Sequence, residues 1–459
     1  MIITRFAPSP TGLCHLGTYR TAIFAYLFAR KNNGKFIYRS EDTDKERSKK
    51  EYEEKIIESL HWLGLDYDQF FRQSENIVRH KFFLEKMVKE GSAYISREKA
   101  KNKDGIERDE IKAIIRFKNP NIDITFKDLI KGEVTINTTD LGDFVIAKNF
   151  NEPIFHLAVV VDDFEEGVTH VIRAEEHVSN TPRQILIQRA IGAPTPIYAH
   201  LPLVLGPDKL KLSKRRGALA AGFYKELGFM PAAIFNCISL VGWNPGTEQE
   251  IFSKEELIEN FDFSKVQKSP AMFNEKKLEW FNKEYMKMLN QEEIKNNIFL
   301  YLPKNLAEAA KNLNSRANSS FVQLIFERIT KWSDVTEMAK NGELNFFFTE
   351  PNLGTESKEI ILKNYLPENI INNLNQAIQE LNKLSQGPSL TPQEGFSKEN
   401  IKEILMQIAN TLQSRGELLH PIRYSLSGLE KSPDPFIIAE ILGKVETLSR
   451  LKKVVIFLT

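Results

Sequence analysis

Residues 2–44 read IITRFAPSPTGLCHLGTYRTAIFAYLFARKNNGKFIYRSEDTD, and this stretch decides the fold. Ile2–Phe6 and Phe36–Ser40 are short apolar runs that predict strands. Between them, the apolar spacing of Thr18–Lys31 predicts a helix, and Gly34 ends it. Such a βαβ unit has a right-handed crossover, so its two strands are parallel. The chain therefore begins as an α/β domain.

The proline-rich and glycine-rich loop at residues 7–18 leads into the amino end of this helix, at the carboxyl edge of the predicted sheet. Backbone N–H groups and the helix dipole attract anions there, glycine lets a phosphate approach, and a histidine can donate to it. His15 and Gly17 are thus candidate phosphate contacts, although the loop alone also fits a turn without a ligand. The second strand ends at the same edge, so we expect Arg5 and Glu41 to lie close together.

The rest of the chain predicts an interrupted α/β domain followed by helices. Residues from about 76 to 151 contain alternating segments that predict an inserted α+β subdomain. The α/β pattern then returns as strands at 156–161, 168–173 and 197–205, with a helix at 181–191. From about residue 250 the pattern is helical, beginning with a Ser253–Glu256 capping box, and its last third predicts a helical bundle.

Composition bounds the class of protein. The 459 residues carry 42% apolar residues, a net charge of +1 and only two cysteines, so a disulfide scaffold is excluded and a reducing compartment fits best. No apolar run approaches the ~20 residues of a membrane span, and the amino terminus lacks a signal core. We expect a cytoplasmic protein, whose near-zero net charge neither indicates nor excludes nucleic acid as a partner.

A second motif follows the strand predicted at 197–205. Residues 208–217 read DKLKLSKRRG, and Lys211 and Lys214 are spaced to converge on one polyanion, as phosphoryl transfer requires. A solvated lysine-rich turn is the alternative for this segment alone. Together, this segment and the loop at residues 7–18 are a far more specific signal of phosphoryl transfer than either motif alone.

The two motifs resemble the class I aminoacyl-tRNA synthetases, and specifically the bacterial-type glutamyl-tRNA synthetase family. His15–Thr18 stands where the class has its HIGH signature, and Lys211–Arg215 stands where it has KMSKS. Further similar segments extend over nearly the whole chain, at 5–12, 39–44, 160–163, 170–177, 273–274, 277–282, 421–423 and 442–444.

This resemblance implies a class I Rossmann-type catalytic domain with an α+β insertion, followed by an all-α anticodon-binding region. We expect the catalytic domain at 1–76 and 152–206 and an acceptor-end-binding insertion at 77–151. A stem-contact region that includes the KLSKR loop is expected at 207–312, and the anticodon-binding domain at 313–459.

The resemblance also implies a reaction in which ATP and L-glutamate form glutamyl-adenylate, whose glutamyl group passes to the 3′ end of tRNA(Glu). Mg²⁺ would share the pyrophosphate charge, and we expect a monomer. The implied catalytic residues are His15, Lys211 and Lys214, and the implied ATP contacts are Gly17, Thr18, Glu176, Leu203, Val204, Lys211 and Lys214. The implied glutamate site is Arg5, Ala7, Ser9, Glu41, Phe155 and Arg173, and the implied tRNA contacts are Thr43, Asp44 and Asn345.

Three positions depart from the family pattern. Phe155 stands where the family usually has tyrosine, so a hydroxyl near the substrate is missing. Ala93-Tyr94 is followed by Ser96 and Glu98 instead of the cysteines of a zinc site, so no zinc is expected. Asn345 stands where discriminating relatives have an arginine that reads the last anticodon base, which leaves charging of tRNA(Gln) as an alternative.

Two further alternatives remain. A nucleotidyltransferase with the same phosphate loop would transfer adenylate and stop, although such enzymes rarely need a helical carboxyl-terminal third. An inactive tRNA-binding paralogue would not need His15, Lys211, Lys214, Arg5 and Glu41 intact.

Overall fold

The computed structural model describes residues 1–101, 107–210, 221–384 and 395–459, so the predicted contacts Lys211 and Lys214 lie outside the described residues. The strands are β1 Ile3–Phe6, β2 Lys35–Ser40, β3 Gln69–Arg72, β4 Ala93–Lys101, β5 Glu107–Phe117, β6 Asp123–Asp128, β7 Gly132–Asn137, β8 Phe144–Asn149, β9 Glu152–Pro153, β10 His170–Ala174, β11 Ile197–Leu201, β12 Val204–Leu205 and β13 Ala271–Met272.

The helices of the described residues follow in chain order. They are α1 Leu16–Lys31, α2 Lys50–Trp62, α3 Ile77–Lys89, α4 Phe155–Glu165, α5 Thr181–Ile191, α6 Ala221–Glu226, α7 Pro231–Ser239, α8 Lys254–Asn260, α9 Glu275–Lys287, α10 Gln291–Tyr301, α11 Lys304–Lys311, α12 Ser315–Arg328, α13 Ser333–Lys340, α14 Thr355–Leu362, α15 Pro367–Leu381, α16 Lys398–Ala409, α17 Gly416–Ser427 and α18 Pro435–Leu458.

The chain divides into two compact units, Met1–Tyr285 and Met286–Thr459. The division falls earlier than the boundary at 312/313 that the sequence suggests. Helices α10 and α11 lie in the second unit, where α10 contacts α12 and α13. Within the second unit, α11 also contacts α12.

The predicted βαβ unit is confirmed. β1 and β2 pair in parallel, with Arg5 beside Ile37 and Phe6 beside Tyr38. Apolar side chains on most faces of α1 are buried, as expected for a helix covered by sheet on one side and by other helices on the other. The Glu41 N–H donates to the Pro8 carbonyl (3.1 Å), so the loop after β1 and the end of β2 meet as predicted.

Within the described residues, seven strands form the central sheet in the order β3-β2-β1-β10-β11-β6-β7. Here the structure differs from the predicted insertion at 77–151, because β6 and β7 belong to this sheet. β6 pairs in parallel with β11 and β7 pairs with β6 in antiparallel register. Only β4, β5, β8 and β9 form a separate antiparallel sheet. Alternating patterns mark a strand, but they do not identify the sheet that it joins.

The strand predicted at 156–161 is wrong, since these residues lie in helix α4. Every residue from Leu157 to Asp163 is buried, and α4 packs against α3 and α5. A helix that is covered on all sides has no polar stripe, so its short apolar run resembles a buried strand. The helix predicted at 181–191 is confirmed as α5, and the strand predicted at 197–205 is split into β11 and β12.

The second unit is helical in the residues described, as predicted. α18 contacts α12, α15, α16 and α17, and Asp434 caps its amino end by accepting from the Phe436 and Ile437 amides. The predicted Ser253–Glu256 capping box is present at α8 of the first unit. Among the described helices, none is long and apolar enough to cross a membrane.

Candidate functional site

A cavity of about 410 Å³ opens at the carboxyl edge of β1, β10 and β11. It brings together twelve of the residues that the sequence predicts as contacts, from segments as distant as the first loop and β12. Its walls include Arg5, Ala7, Ser9, His15, Gly17, Thr18, Glu41, Phe155, Arg173, Glu176, Leu203 and Val204.

The amino end of α1 forms one side of this cavity. His15 is the N-cap residue, and its Nδ1 accepts a hydrogen bond from the Thr18 N–H (3.3 Å). The ring proton of the neutral imidazole therefore resides on Nε2. A Cβ atom at Gly17 would lie 3.0 Å from the His15 ring, so glycine at this position lets the ring lie against the backbone. The helix end thus combines backbone N–H groups with a histidine donor, as an anion site requires.

Arg5 and Glu41 are joined through Asp163 and Arg39 rather than by a direct ion pair. Asp163 on α4 accepts from Arg5 Nε (3.1 Å) and from Arg39 Nη2 (2.8 Å). Arg39 Nη2 also reaches Glu41 Oε1 (3.3 Å), and its Nη1 reaches Glu166 (2.7 Å). All these side chains are buried. The guanidinium of Arg5 and the carboxylate of Glu41 are therefore held at fixed positions beside the cavity.

Burial and the neighbouring arginines act in opposite directions on the pKa values of these carboxyl groups. Burial raises the pKa of Glu41 to about 7, although Arg39 and Arg5 act in the opposite direction. Burial likewise raises the pKa of Glu166 to about 7. For Asp163, the charges of Arg5 and Arg39 overcome burial and hold its pKa below the ordinary value. Asp163 is thus the permanent counter-ion of the two arginines, while Glu41 changes charge near neutral pH.

Arg173 enters the cavity from the end of β10 and is held on three sides. Its Nε donates to His200 (3.1 Å), its Nη1 to Gln184 (2.6 Å) and its Nη2 to Thr181 (2.8 Å). The guanidinium lies over the Tyr198 ring at 5.3 Å, and burial lowers its pKa to about 10. It stays charged at neutral pH, so a second fixed cation faces the cavity.

Residues 202–204, which lie next to the amino end of α1, form a further part of the cavity wall. The Leu203 N–H donates to Glu175 Oε1 (2.9 Å), and the Pro202 carbonyl accepts from Arg20 Nη1 (2.7 Å). Leu203 and Val204 are partly buried, and Glu176 is exposed at the rim. A rigid apolar edge beside an anion site suits the flat base of a nucleotide.

Phe155 is the first residue of α4, and its side chain lines the cavity while 38% of its surface stays exposed. Its ring lies near His156 and His177, with centroid distances of 5.4 and 6.0 Å. The aromatic position is therefore at the site, without a hydroxyl that could bond a ligand.

The predicted tRNA contacts Thr43, Asp44 and Asn345 are not among the residues that line the cavity. The Thr43 hydroxyl donates to Gln73 Oε1 (2.9 Å), and Asp44 pairs with Arg47 (2.6 Å) on an exposed loop after β2. Asn345 lies in the second unit, exposed at the start of a 3₁₀ turn. The buried Arg450 fixes this turn by donating to the Phe346 carbonyl (2.7 Å).

Asp163 and Arg39 were not predicted as site residues, although both lie in segments that resemble the family. The available signal was the pair Asp162-Asp163 at the end of an apolar run, because buried acids need cationic or hydrogen-bonding partners. Asp162 finds such partners in His80, Gln73 and Asn76, at 2.6 to 2.8 Å.

Comparison with known proteins agrees with this geometry. Residues 1–107 and 95–280 match the tRNA synthetases class I (E and Q) catalytic domain, and residues 284–455 match an anticodon binding domain. A glutamate–tRNA ligase of Sulfurihydrogenibium sp. is 36% identical, with 98% of each chain covered. One from Aquifex aeolicus is 50% identical over 314 residues, which cover 62% of this chain and 66% of that protein.

A solved structure shows the same similarity in three dimensions. The crystal structure of a glutamate tRNA ligase from Elizabethkingia meningosepticum, in complex with its amino acid, has a TM-score of 0.84 and 31% identity, with 100% of both chains covered. The chain therefore belongs to the glutamate–tRNA ligase family of class I tRNA synthetases.

Proposed function

We propose that this protein activates L-glutamate with ATP and transfers the glutamyl group to the 3′ end of tRNA(Glu). The observation that carries the proposal is one cavity that combines an anion-binding helix end with two fixed guanidinium groups and a carboxylate. Glutamate has two carboxylates and one ammonium, which is the charge complement of Arg5, Arg173 and Glu41. A site built on such pairings rejects glutamine by ~10⁴-fold or more, because an unpaired donor would remain.

In the first step, a carboxylate oxygen of glutamate attacks the α-phosphorus of ATP, and pyrophosphate leaves as the P–O bond to the β-phosphate breaks. The His15 Nε2–H, the Gly17 backbone and the Thr18 hydroxyl are proposed to stabilise phosphate charge, since the Thr18 N–H is already bonded to His15 Nδ1. Lys211 and Lys214 are proposed to share this role, as the family motif implies. In the second step, a hydroxyl of the terminal tRNA ribose attacks the acyl carbon, and AMP leaves.

Mg²⁺ is proposed to arrive with ATP. In the parts of the chain described, no group of three or more His, Cys, Asp or Glu side chains could hold a metal ion. Mg²⁺ keeps several waters and is commonly bound through substrate phosphates. Thr43 and Asp44, just beyond the cavity, are proposed acceptor-end contacts, and the protein is proposed to act as a monomer.

The test is ATP-dependent attachment of labelled glutamate to separate transcripts of tRNA(Glu) and tRNA(Gln), with tRNA(Asp) as the control. Charging of tRNA(Glu) is expected, and charging of none of the three would refute the proposal. Pyrophosphate exchange with and without tRNA separates the alternatives. Exchange that ignores tRNA would favour a nucleotidyltransferase, and no exchange at all would favour an inactive paralogue.

One observation favours tRNA(Gln) as a second substrate. Asn345 is exposed on a turn that Arg450 holds rigid, at the position where discriminating relatives have arginine. An amide lacks the bidentate donor that penalises a wrong base, which is typically worth ~1–3 kcal/mol. Charging of both tRNA(Glu) and tRNA(Gln) in the same assay would establish this broader specificity.

A further inference from the structure

The 128–131 turn comprises the last residue of β6 and the loop that leads into β7. It does not line the cavity, but hydrogen bonds link it to two parts of the cavity wall. This turn belongs to the stretch that the sequence assigned to a separate insertion. It lies beside β11, and its first and last side chains each begin a chain of hydrogen bonds that ends at a cavity wall.

The first chain leads from Asp128 through His200 to Arg173. Asp128 Oδ2 accepts from His200 Nδ1 (2.6 Å) and from the His200 backbone N–H (3.1 Å). Its Oδ1 accepts from the Ile130 and Lys131 amides (2.9 and 2.8 Å). The side chains of Asp128 and His200 are both fully buried. The carboxylate thus fixes the turn and the imidazole at once.

The geometry determines the tautomer of His200. Arginine offers only donors, so the Arg173 Nε–H can bond His200 Nε2 (3.1 Å) only if that nitrogen is an acceptor. The proton of the neutral ring is then on Nδ1, facing Asp128. A carboxylate that orients a histidine is a recurrent positioning device, here with an arginine as the positioned group.

The second chain leads from Lys131 through Glu175 to the Leu203 amide. Lys131 Nζ lies 2.8 Å from Glu175 Oε2, and Glu175 Oε1 accepts from the Leu203 N–H (2.9 Å). Lys131 and Glu175 remain about one quarter exposed. This chain fixes the backbone beside which the base of ATP is proposed to lie.

We infer that the 128–131 turn positions the two substrate subsites separately. Asp128 and His200 act on the glutamate site through Arg173. Lys131 acts on the ATP site through Glu175. The inference rests on the proposed function. Asp128, His200 and Lys131 are positioning residues, since none of them lines the cavity.

The test uses four variants of the full chain, with KM for glutamate and for ATP measured in the charging reaction and thermal unfolding measured beside it. His200→Leu removes the acceptor for Arg173, whereas His200→Gln keeps an oxygen near the position of Nε2. Lys131→Met removes the ammonium from Glu175. Lys127→Met is the matched control, because Lys127 is exposed on β6 of the same hairpin.

We expect His200→Leu to raise KM for glutamate about 10-fold, and His200→Gln to restore it to within about 2-fold, with KM for ATP steady in both. Lys131→Met is expected to raise KM for ATP about 3-fold while KM for glutamate stays unchanged. Lys127→Met should alter neither.

If His200→Leu and His200→Gln raised KM for glutamate equally, and only in proportion to their loss of melting temperature, the proposed role of Asp128 and His200 would be refuted. If Lys131→Met left both KM values unchanged, or raised both equally, the proposed role of Lys131 at the ATP site would be refuted. Wild-type protein that charges no glutamate would instead refute the proposed function, and the inference with it.

Discussion

Replacing Asp163 with asparagine removes one negative charge from between two buried guanidinium groups. The Asp163 side chain is 8% exposed, that of Arg5 is 6% exposed and that of Arg39 is fully buried. Arg39 would keep Glu41 and Glu166 as partners. Arg5 would lose its only ion pair among the described residues and would keep a long bond (3.4 Å) to the Ile172 carbonyl.

Breaking a buried ion pair by removing one partner costs about 3–5 kcal/mol. The amide oxygen can still accept one hydrogen bond, so we expect the lower end, about 3 kcal/mol, for Asp163→Asn. In a unit of 285 residues, whose entropy of unfolding is about 0.6 kcal/mol/K, that corresponds to a fall in Tm of roughly 5 °C. Because Arg5 loses its anchor, KM for glutamate should also rise about 10-fold or more.

The assay is calorimetric unfolding together with steady-state charging at saturating ATP and tRNA. Glu165→Gln is the matched control, since it makes the same change on the same helix. Glu165 pairs with Arg79 at 2.8 Å, but the two side chains are 29% and 42% exposed. Such pairs are worth about 0–1 kcal/mol. If Asp163→Asn melted within about 2 °C of the wild type and kept its KM for glutamate, Asp163 would not be the anchor of Arg5.

Three further predictions concern specificity and pH. Phe155→Tyr should lower KM for glutamate about 2–10-fold with little change in Tm, because one hydrogen bond is gained at an exposed ring; an unchanged KM would place the ring away from the substrate. kcat/KM for glutamate should rise about 10-fold from pH 6 to 8. Burial raises the pKa of Glu41 to about 7, so this side chain becomes charged over that range and can bind the ammonium group of glutamate. The pKa of Glu41 is higher in the folded than in the unfolded protein, so its contribution to stability falls over the same rise in pH. A kcat/KM that stayed constant from pH 6 to 8 would contradict the role of Glu41. Asn345→Arg should shift the charging ratio toward tRNA(Glu) by about 5–100-fold, and an unchanged ratio would mean that residue 345 does not read the anticodon.

Local patterns were sufficient wherever neighbours in the chain make the structure. The βαβ unit at the start depends on apolar spacing and on a glycine after the helix, and both act over a few residues. The helix at 181–191 and the capping box at Ser253–Glu256 are local in the same sense. The residues predicted as contacts in the loop at 7–18 and in the segment at 170–177 line one cavity, and their contacts with a ligand stay a prediction.

Patterns failed where an element is covered on all sides or where its partner lies far along the chain. Helix α4 has no polar stripe because neighbouring elements cover it, so its apolar run predicted a strand. β6 and β7 carry a clear alternation, yet the place of β6 beside β11 depends on contacts between residues about 70 positions apart. Neither fact is encoded in a window of ten residues.

The sequence alone predicted the α/β start, the helical second unit, the family and twelve of the residues that line the cavity. Only the tertiary structure decided what stands behind those side chains: Asp163 under Arg5, His200 and Asp128 under Arg173, and Glu175 under Leu203. A buried charge needs a counter-ion or a hydrogen-bonding partner in three dimensions, and that partner can come from any element of the fold.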